Sequence, residues 1–472
     1  MPGLSLFLPL FWPLLGLTAT PGVPPSLAAP GRPSRRPSVA IVHATVLTMA
    51  DSIPLRDGTV VIRDGRIVAV GPNTTPIPAR ARIIDGSGKF VIPGLWDMHV
   101  HTAVPGGEPL LALYVANGVT GVRDMGGDLA TIHAWRRRIR AGALVGPRIV
   151  ASGPYLQGGD AALPHFVVTT PSEGRAAVRS LALQGSDFVK IHELVPREAF
   201  FAVAHAARAR GLPLAGHLAA GVTIEEAADS GQRSVEHLNG LRNHCSAVDS
   251  TRLAAAAPII RETLGECTAS DQLGIYRHLR GRPFWITPTL VALEMIAAAT
   301  GETLPSDTLA HYLPAFLLQA MAAALEIPDL PPNSNVLGRA LWNKRLDVVQ
   351  ALAREGIPVL AGTDAPLPNS IPGFGLHEEL AALVRAGLSP WEALRTATAE
   401  PARFFATDSI GVIRPGAVAD LVVLDANPLV DIGNTRQIAL VIADGRLYSA
   451  DERTRMKVRA HDIASKGVRP AR

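Results

Sequence analysis

The chain has 472 residues, 47% of them hydrophobic, enough to bury a large core and too apolar for a disordered polypeptide. Lys and Arg total 45 against 41 Asp and Glu, a formal net charge of +4. So slight an excess argues against nucleic acid as a partner, because its densest run, Arg136-Arg137-Arg138-Ile139-Arg140, has helical texture and no aromatic interleaving.

In chain order, Leu4 to Leu17 is an apolar run interrupted by prolines and followed by the small-residue stretch Ser26-Leu27-Ala28-Ala29. It predicts an export signal over 1–28, although no Lys or Arg precedes Arg32 to form the usual basic start. The run is too short and too proline-rich for stable membrane insertion, so a secreted or periplasmic protein is expected. Residues 29–38 read as a flexible lead-in. Over 39–92 come short β-like runs such as Thr59-Val60-Val61-Ile62 and Arg66-Ile67-Val68-Ala69-Val70, separated by Asp57-Gly58 and Asp64-Gly65 turn signals. The same texture returns over 414–450, so the two ends are expected to build one small β-sandwich domain. Residues 451–472 read as a C-terminal tail.

Between these flanks, 93–413 alternates apolar strands with Ala/Leu/Arg-rich helical stretches, the pattern of an α/β protein with a parallel (β/α)8 barrel. Polar residues recur at the strand ends. The first strand leads into His99-Val100-His101, and residues two apart in a strand share a face, so both imidazoles can grip one cation. Asp187-Phe188-Val189-Lys190 ends a later strand in lysine, Leu214-Ala215-Gly216-His217 and Ser234-Val235-Glu236-His237 end two more in histidine, and Leu360-Ala361-Gly362-Thr363-Asp364 ends another in aspartate. In a barrel the C-terminal strand ends converge on one mouth, where groups distant in sequence can meet.

Other polar residues are weighed against ordinary structural roles. His165, His192 and His244 are candidates for substrate contact, while His192 and Glu193 together read more readily as surface residues. Arg123 and Asp124 are expected to pair within the barrel. Cys245 and Cys267, the only cysteines, allow one bridge or two reduced thiols. Leu293 to Ala353 is a long helix-rich excursion, broken by Pro328-Asp329-Leu330-Pro331-Pro332, that could cover the mouth as a lid.

The ordered set His-x-His, Lys, His, His, Asp resembles the amidohydrolase superfamily, and the likeness runs from about Val39 to Ser449. Supporting stretches are Gly118-Val119-Thr120-Gly121-Val122-Arg123-Asp124, Thr287-Pro288-Thr289-Leu290-Val291, Gly362-Thr363-Asp364-Ala365-Pro366 and Gly416-Ala417-Val418-Ala419-Asp420-Leu421-Val422-Val423-Leu424-Asp425. The chain is similar to the imidazolonepropionase-like and Xaa-Pro-dipeptidase-like branch with two metals and a carboxylated lysine. The resemblance implies that His99, His101 and Asp364 hold one divalent metal and His217 and His237 a second. Carboxylated Lys190, made with carbon dioxide or bicarbonate, would span them. It departs from many relatives at Ala219 and Ala220, where a His or Tyr would contact the substrate carbonyl.

The chemistry follows from the residue types. An ammonium beside two cations is unfavourable, whereas a carbamate is anionic and offers one oxygen to each metal. Imidazole, carboxylate and carbamate ligands favour zinc. A metal-bridging hydroxide would be the nucleophile, with Asp364 as general base and then general acid. The expected function is hydrolysis of a C–N amide bond in a small-molecule amide or peptide, such as an N-acyl amino acid or dipeptide. Lactone or phosphoester hydrolysis by the same centre and a catalytically inactive binding scaffold are the alternatives. Assembly as a homo-oligomer stays open.

Overall fold

A parallel strand covered on both faces is buried along its whole length and mostly apolar, and Leu95–Val100, Val119–Asp124, Val189–Ile191, Leu214–Gly216 and Trp285–Thr287 are buried at every position. The computed structural model describes residues 24–27, 37–161, 163–241, 272–298, 307–319, 334–367 and 369–466. His244, Cys245, Cys267 and most of the expected export signal lie outside these residues.

The parallel strands fall in two sheets. One contains Leu95–Val100, Val119–Asp124 and Arg148–Ala151; the other runs in the order His165–Val167, Tyr155–Gln157, Val189–Ile191, Leu214–Gly216, Gln232–Glu236, Trp285–Thr287. Backbone hydrogen bonds bridge the gaps between them. Asp187 donates to Ala151 at 3.0 Å on one side. On the other, Ile286 donates to Pro358 at 3.0 Å, Leu360 to Ile286 at 2.9 Å and Met98 to Ala361 at 2.9 Å. The extended segment 358–361 thus stands between Trp285–Thr287 and Leu95–Val100, so Asp364 emerges beside His99.

Trp96 fills the interior below this end. It is fully buried and meets the Phe405 ring edge-on, 5.3 Å between centroids, a contact worth about 0.5–1.5 kcal/mol beyond the area it buries. Its neighbour in the next strand has to be glycine, because a Cβ on Gly121 would lie 2.2 Å from the indole. Leu27 packs in the same cluster, with Met98, Val150 and Phe188, and the Ser26 amide donates to Asp187 Oδ1 at 3.2 Å.

Both chain ends join in one unit, in the form of a single connected mixed sheet. Its order is Arg446–Ser449, Ile438–Ala443, Leu421–Leu424, Phe90–Pro93, Val39–Val46, Leu55–Arg63, Arg66–Pro72, with Arg82–Asp85 pairing off the path with Val39–Val46. Phe90–Pro93 pairs parallel to the first strand and antiparallel to Leu421–Leu424 and stitches the two ends together. The expected tail is a helix, Ala450–Ser465, closed at its start by a reciprocal Ser449–Glu452 capping box. Arg453 anchors it, buried and donating to the Ala116 carbonyl at 3.2 Å. Within the excursion, Leu313 and Leu317 pack with Leu110, Leu113 and Ala460, beside the loop that follows the first barrel strand. No helix among the described residues is long and apolar enough to cross a membrane.

Candidate metal centre

Strand alternation sends His99 and His101 to one side, where Asp364 meets both: its Oδ1 lies 3.3 Å from His99 Nε2 and 3.2 Å from His101 Nε2. Ligating atoms of these three residues all fall within 4.8 Å of one another. Gly362 permits the close approach of the two chain segments, since a Cβ there would sit 2.8 Å from His99 Cβ and 2.9 Å from its backbone nitrogen. Below the ligands, Asp97 ties the segments together by accepting from the Thr363 amide at 3.0 Å and the Thr363 hydroxyl at 2.6 Å. Burial raises the Asp97 carboxyl to about 7.

His237 lies against His99, tilted by 54° with 4.6 Å between ring centroids, and meets His217 edge-on at 5.0 Å, so the remaining histidines adjoin the same centre. Lys190 enters from the neighbouring strand, 3% exposed, its Nζ 5.4 Å from the centre of the Tyr155 ring. Burial lowers its ammonium to about 8, which makes the neutral amine accessible near neutral pH. Asp364, His237 and Thr289 all adopt left-handed backbone, with φ of 59°, 58° and 49°. Such conformations cost on the order of 1–3 kcal/mol each and gather at functional sites.

Each of the four histidines commits Nδ1 to an outer oxygen. His99 reaches Glu236 Oε2 at 3.1 Å, His101 the Gly126 carbonyl at 3.5 Å, His217 Glu193 Oε1 at 3.0 Å and His237 Thr289 Oγ1 at 2.6 Å. The Thr289 hydroxyl spends its own proton on the Pro288 carbonyl, 2.8 Å away, so it accepts from His237. All four rings therefore carry the proton on Nδ1 and turn the Nε2 lone pair inward, the arrangement of metal-ligating histidines. Among the described residues, His99 Nε2 and His217 Nε2 are buried without a hydrogen-bond partner. The His99 and His101 lone pairs that face the Asp364 carboxylate repel it unless a cation stands between them, so the residues fit a bound metal.

Several supporting residues escaped the sequence reading. Arg123 does not pair with Asp124: successive strand residues face opposite ways, and Arg123 instead donates to Glu236 Oε2 at 2.8 Å and Ser234 Oγ at 2.8 Å. Asp124 accepts from the Thr102 amide at 2.7 Å. Glu236 and Arg123 are both fully buried, and although burial would raise the Glu236 carboxyl, Arg123 and His99 hold it low. His192 lies against the site and not free on the surface, and Glu193, its side chain still partly exposed, reaches in to support it. Glu193 accepts from His217 and from Asn239 Nδ2 at 3.2 Å, and the His192 ring lies 4.1 Å from that of His217 and 5.3 Å from Tyr155. His165 is further out, 5.9 Å from the Tyr155 ring, with Nδ1 on the Leu163 carbonyl at 2.9 Å. The i, i+2 spacing of Ser234 with Glu236 and of Lys190 with His192 was the available signal for an inward-facing second residue.

The sequence pattern of the Amidohydrolase family matches residues 90–448. The chain is 23% identical over 461 residues to ochratoxinase of Aspergillus niger, covering 84% of this chain and 82% of that protein. It is 27% identical over 394 residues to imidazolonepropionase of Ralstonia nicotianae, covering 80% and 89% of the two chains. A crystal structure of a Xaa-Pro dipeptidase with bound methionine in the active site superposes with a TM-score of 0.65 at 21% identity, over 87% of this chain and 100% of that one, which shows a shared fold. With the family pattern spanning most of the chain and enclosing every one of these ligand positions, this protein belongs to the amidohydrolase family and is a hydrolase acting on C–N bonds.

Proposed function

We propose that this chain is a binuclear metal-dependent hydrolase of amide bonds in N-acyl amino acids or dipeptide-like small molecules. The observation that carries the reading is the set of four Nδ1-tethered imidazoles turned inward with Asp364 and Lys190 beside them. His99, His101 and Asp364 would hold one divalent cation and His217 and His237 a second. Carboxylated Lys190 would span them, its amine neutral enough to take up carbon dioxide. When bound, the metals, zinc by ligand chemistry, supply a water nucleophile of lowered pKa and polarise the scissile carbonyl. Asp364, touching both His99 and His101, would serve as general base and then as general acid to the leaving amine. Relatives named for an imidazolone substrate and for Xaa-Pro dipeptides support a small amide as the substrate class.

Elemental analysis of protein purified without chelator tests the centre, with about two metals per chain expected. Less than about half a metal per chain after reconstitution sinks it. A panel of dipeptides, N-acyl amino acids, lactones and phosphotriesters tests the bond, and turnover confined to the last two classes overturns the amide reading. Export to the periplasm or medium belongs to the same proposal and rests on the 1–28 segment. Mass spectrometry of a cell-envelope fraction should find a terminus near Ala28; an intact Met1 refutes export by this signal.

A further inference from the structure

His192 follows Lys190 by two residues and so faces the same side, one step nearer the barrel mouth. It differs from the four inward-turned histidines in one respect that decides its chemistry. Its Nδ1 faces an amide nitrogen, Gln157 Nε2, at 3.2 Å. The orientation of that amide is determined by its other end, because Gln157 Oε1 receives the Gly158 amide at 3.1 Å and the Leu194 amide at 3.3 Å. Backbone N–H groups only donate, so the atom they reach is the oxygen and the atom facing His192 is the NH2. His192 Nδ1 must then accept, which leaves the ring proton on Nε2.

Four rings thus offer lone pairs to the centre and the fifth offers a proton. His192 Nε2 makes no hydrogen bond among the described residues, and the half-buried ring lies against that of His217, 4.1 Å between centroids and tilted by 33°. The strand that ends in His217 continues into Ala219, buried, and Ala220, exposed, neither of which can donate to a substrate from its side chain. From these placements we propose that His192 is a catalytic residue whose Nε2–H donates to the acyl oxygen of the scissile amide, and that Gln157 is the positioning residue that sets its tautomer. The assignment rests on the amide-hydrolase reading above. A donor aimed at the oxygen where charge develops stabilises the transition state more than the ground state.

The test combines spectroscopy with turnover. In 15N-histidine spectra of the metal-free protein, His192 should appear as the Nε2–H tautomer. Gln157→Glu, whose second oxygen can only accept, should move the proton to Nδ1. With metal content unchanged, His192→Phe keeps an aromatic ring against His217 and should lower kcat by about 100- to 1,000-fold with little change in KM. Gln157→Glu should shift kcat in the same direction, and His192→Gln, which restores an N–H, should recover part of the loss. A wild-type Nδ1–H signal overturns the proposal, as does loss of metal in His192→Phe, which would make the ring a support of the centre. If wild type hydrolyses amides and His192→Phe does so equally well, this inference falls alone. If metal-loaded wild type hydrolyses no amide in the panel, the amide reading falls and takes the acyl-oxygen contact with it.

Discussion

The Glu236 carboxylate accepts the Nδ1 proton of His99 at 3.1 Å and also receives Arg123 Nη2 at 2.8 Å, so a metal-facing imidazole rests on a buried ion pair. One oxygen serves both donors, while the other accepts from Ser234 Oγ at 2.5 Å. A charge change at Glu236 therefore reaches the metal through His99 and the fold through Arg123.

Glu236→Gln keeps the shape and removes the charge. Leaving Arg123 as an uncompensated buried cation should cost about 3–5 kcal/mol in denaturant unfolding. Loss of the carboxylate behind His99 should weaken metal binding by about 10- to 100-fold, measured by competition with a chelator. Wild-type values on both axes would show that Ser234 and Thr287 alone support Arg123.

Asp364→Asn leaves a side chain that cannot take a proton from water. Turnover on an identified amide should fall by about 100- to 10,000-fold with the fold intact by circular dichroism. Near-normal turnover would place the base elsewhere.

Lys190→Ala removes the bridging group and should release one metal of the pair, because four imidazoles and a single carboxylate carry too little negative charge to hold two cations. Formate or acetate, a small carboxylate, should restore part of the metal content and activity. Lys190→Arg should fail with or without additive, since guanidinium stays protonated and cannot be carboxylated. Two metals and full activity in Lys190→Arg would exclude a carbamate bridge.

Glu379 is fully buried on the Phe374–Arg385 helix, with Oε2 accepting from the Val291 amide at 2.9 Å and Oε1 unpartnered. Burial raises its carboxyl to about 8. The native state then holds a proton that the unfolded chain has released, so stability declines as pH rises from the ordinary carboxyl value of 4.5 towards 8 and levels off above it. Glu379→Gln mimics the neutral form, so thermal melts at acid pH should match wild type and those above pH ~8 should be more stable. A variant less stable than wild type at both ends of the range would contradict the shift.

Much of the site was legible because its chemistry is tied to strand ends. His99, His101, Lys190, His217, His237 and Asp364 each close an apolar run, and a two-residue period forces neighbours such as His99 and His101 to one face. Gln157, Glu193, Glu236 and Thr289 were not legible in the same way. Each acts through a partner from another element: Glu236 stands 137 residues from His99, and Thr289 stands 52 from His237. No local period encodes such a pairing.

The sequence by itself determined that His99 and His101 share a face, since alternation along a strand is a local steric property of L-residues. It also set the alternation of strand and helix that carries the ends of those strands to a common mouth. Only the tertiary structure decided what stands behind each inward group: that Arg123 answers Glu236 and not its neighbour Asp124, that residues 450–465 are a packed helix, and that the two chain ends share one sheet. It also decided that His192 carries its proton on the opposite nitrogen from the four ligand candidates. A tautomer depends on whether the nearest outer atom is a donor or an acceptor, and that atom is delivered by a neighbouring strand whose register is a property of the whole fold.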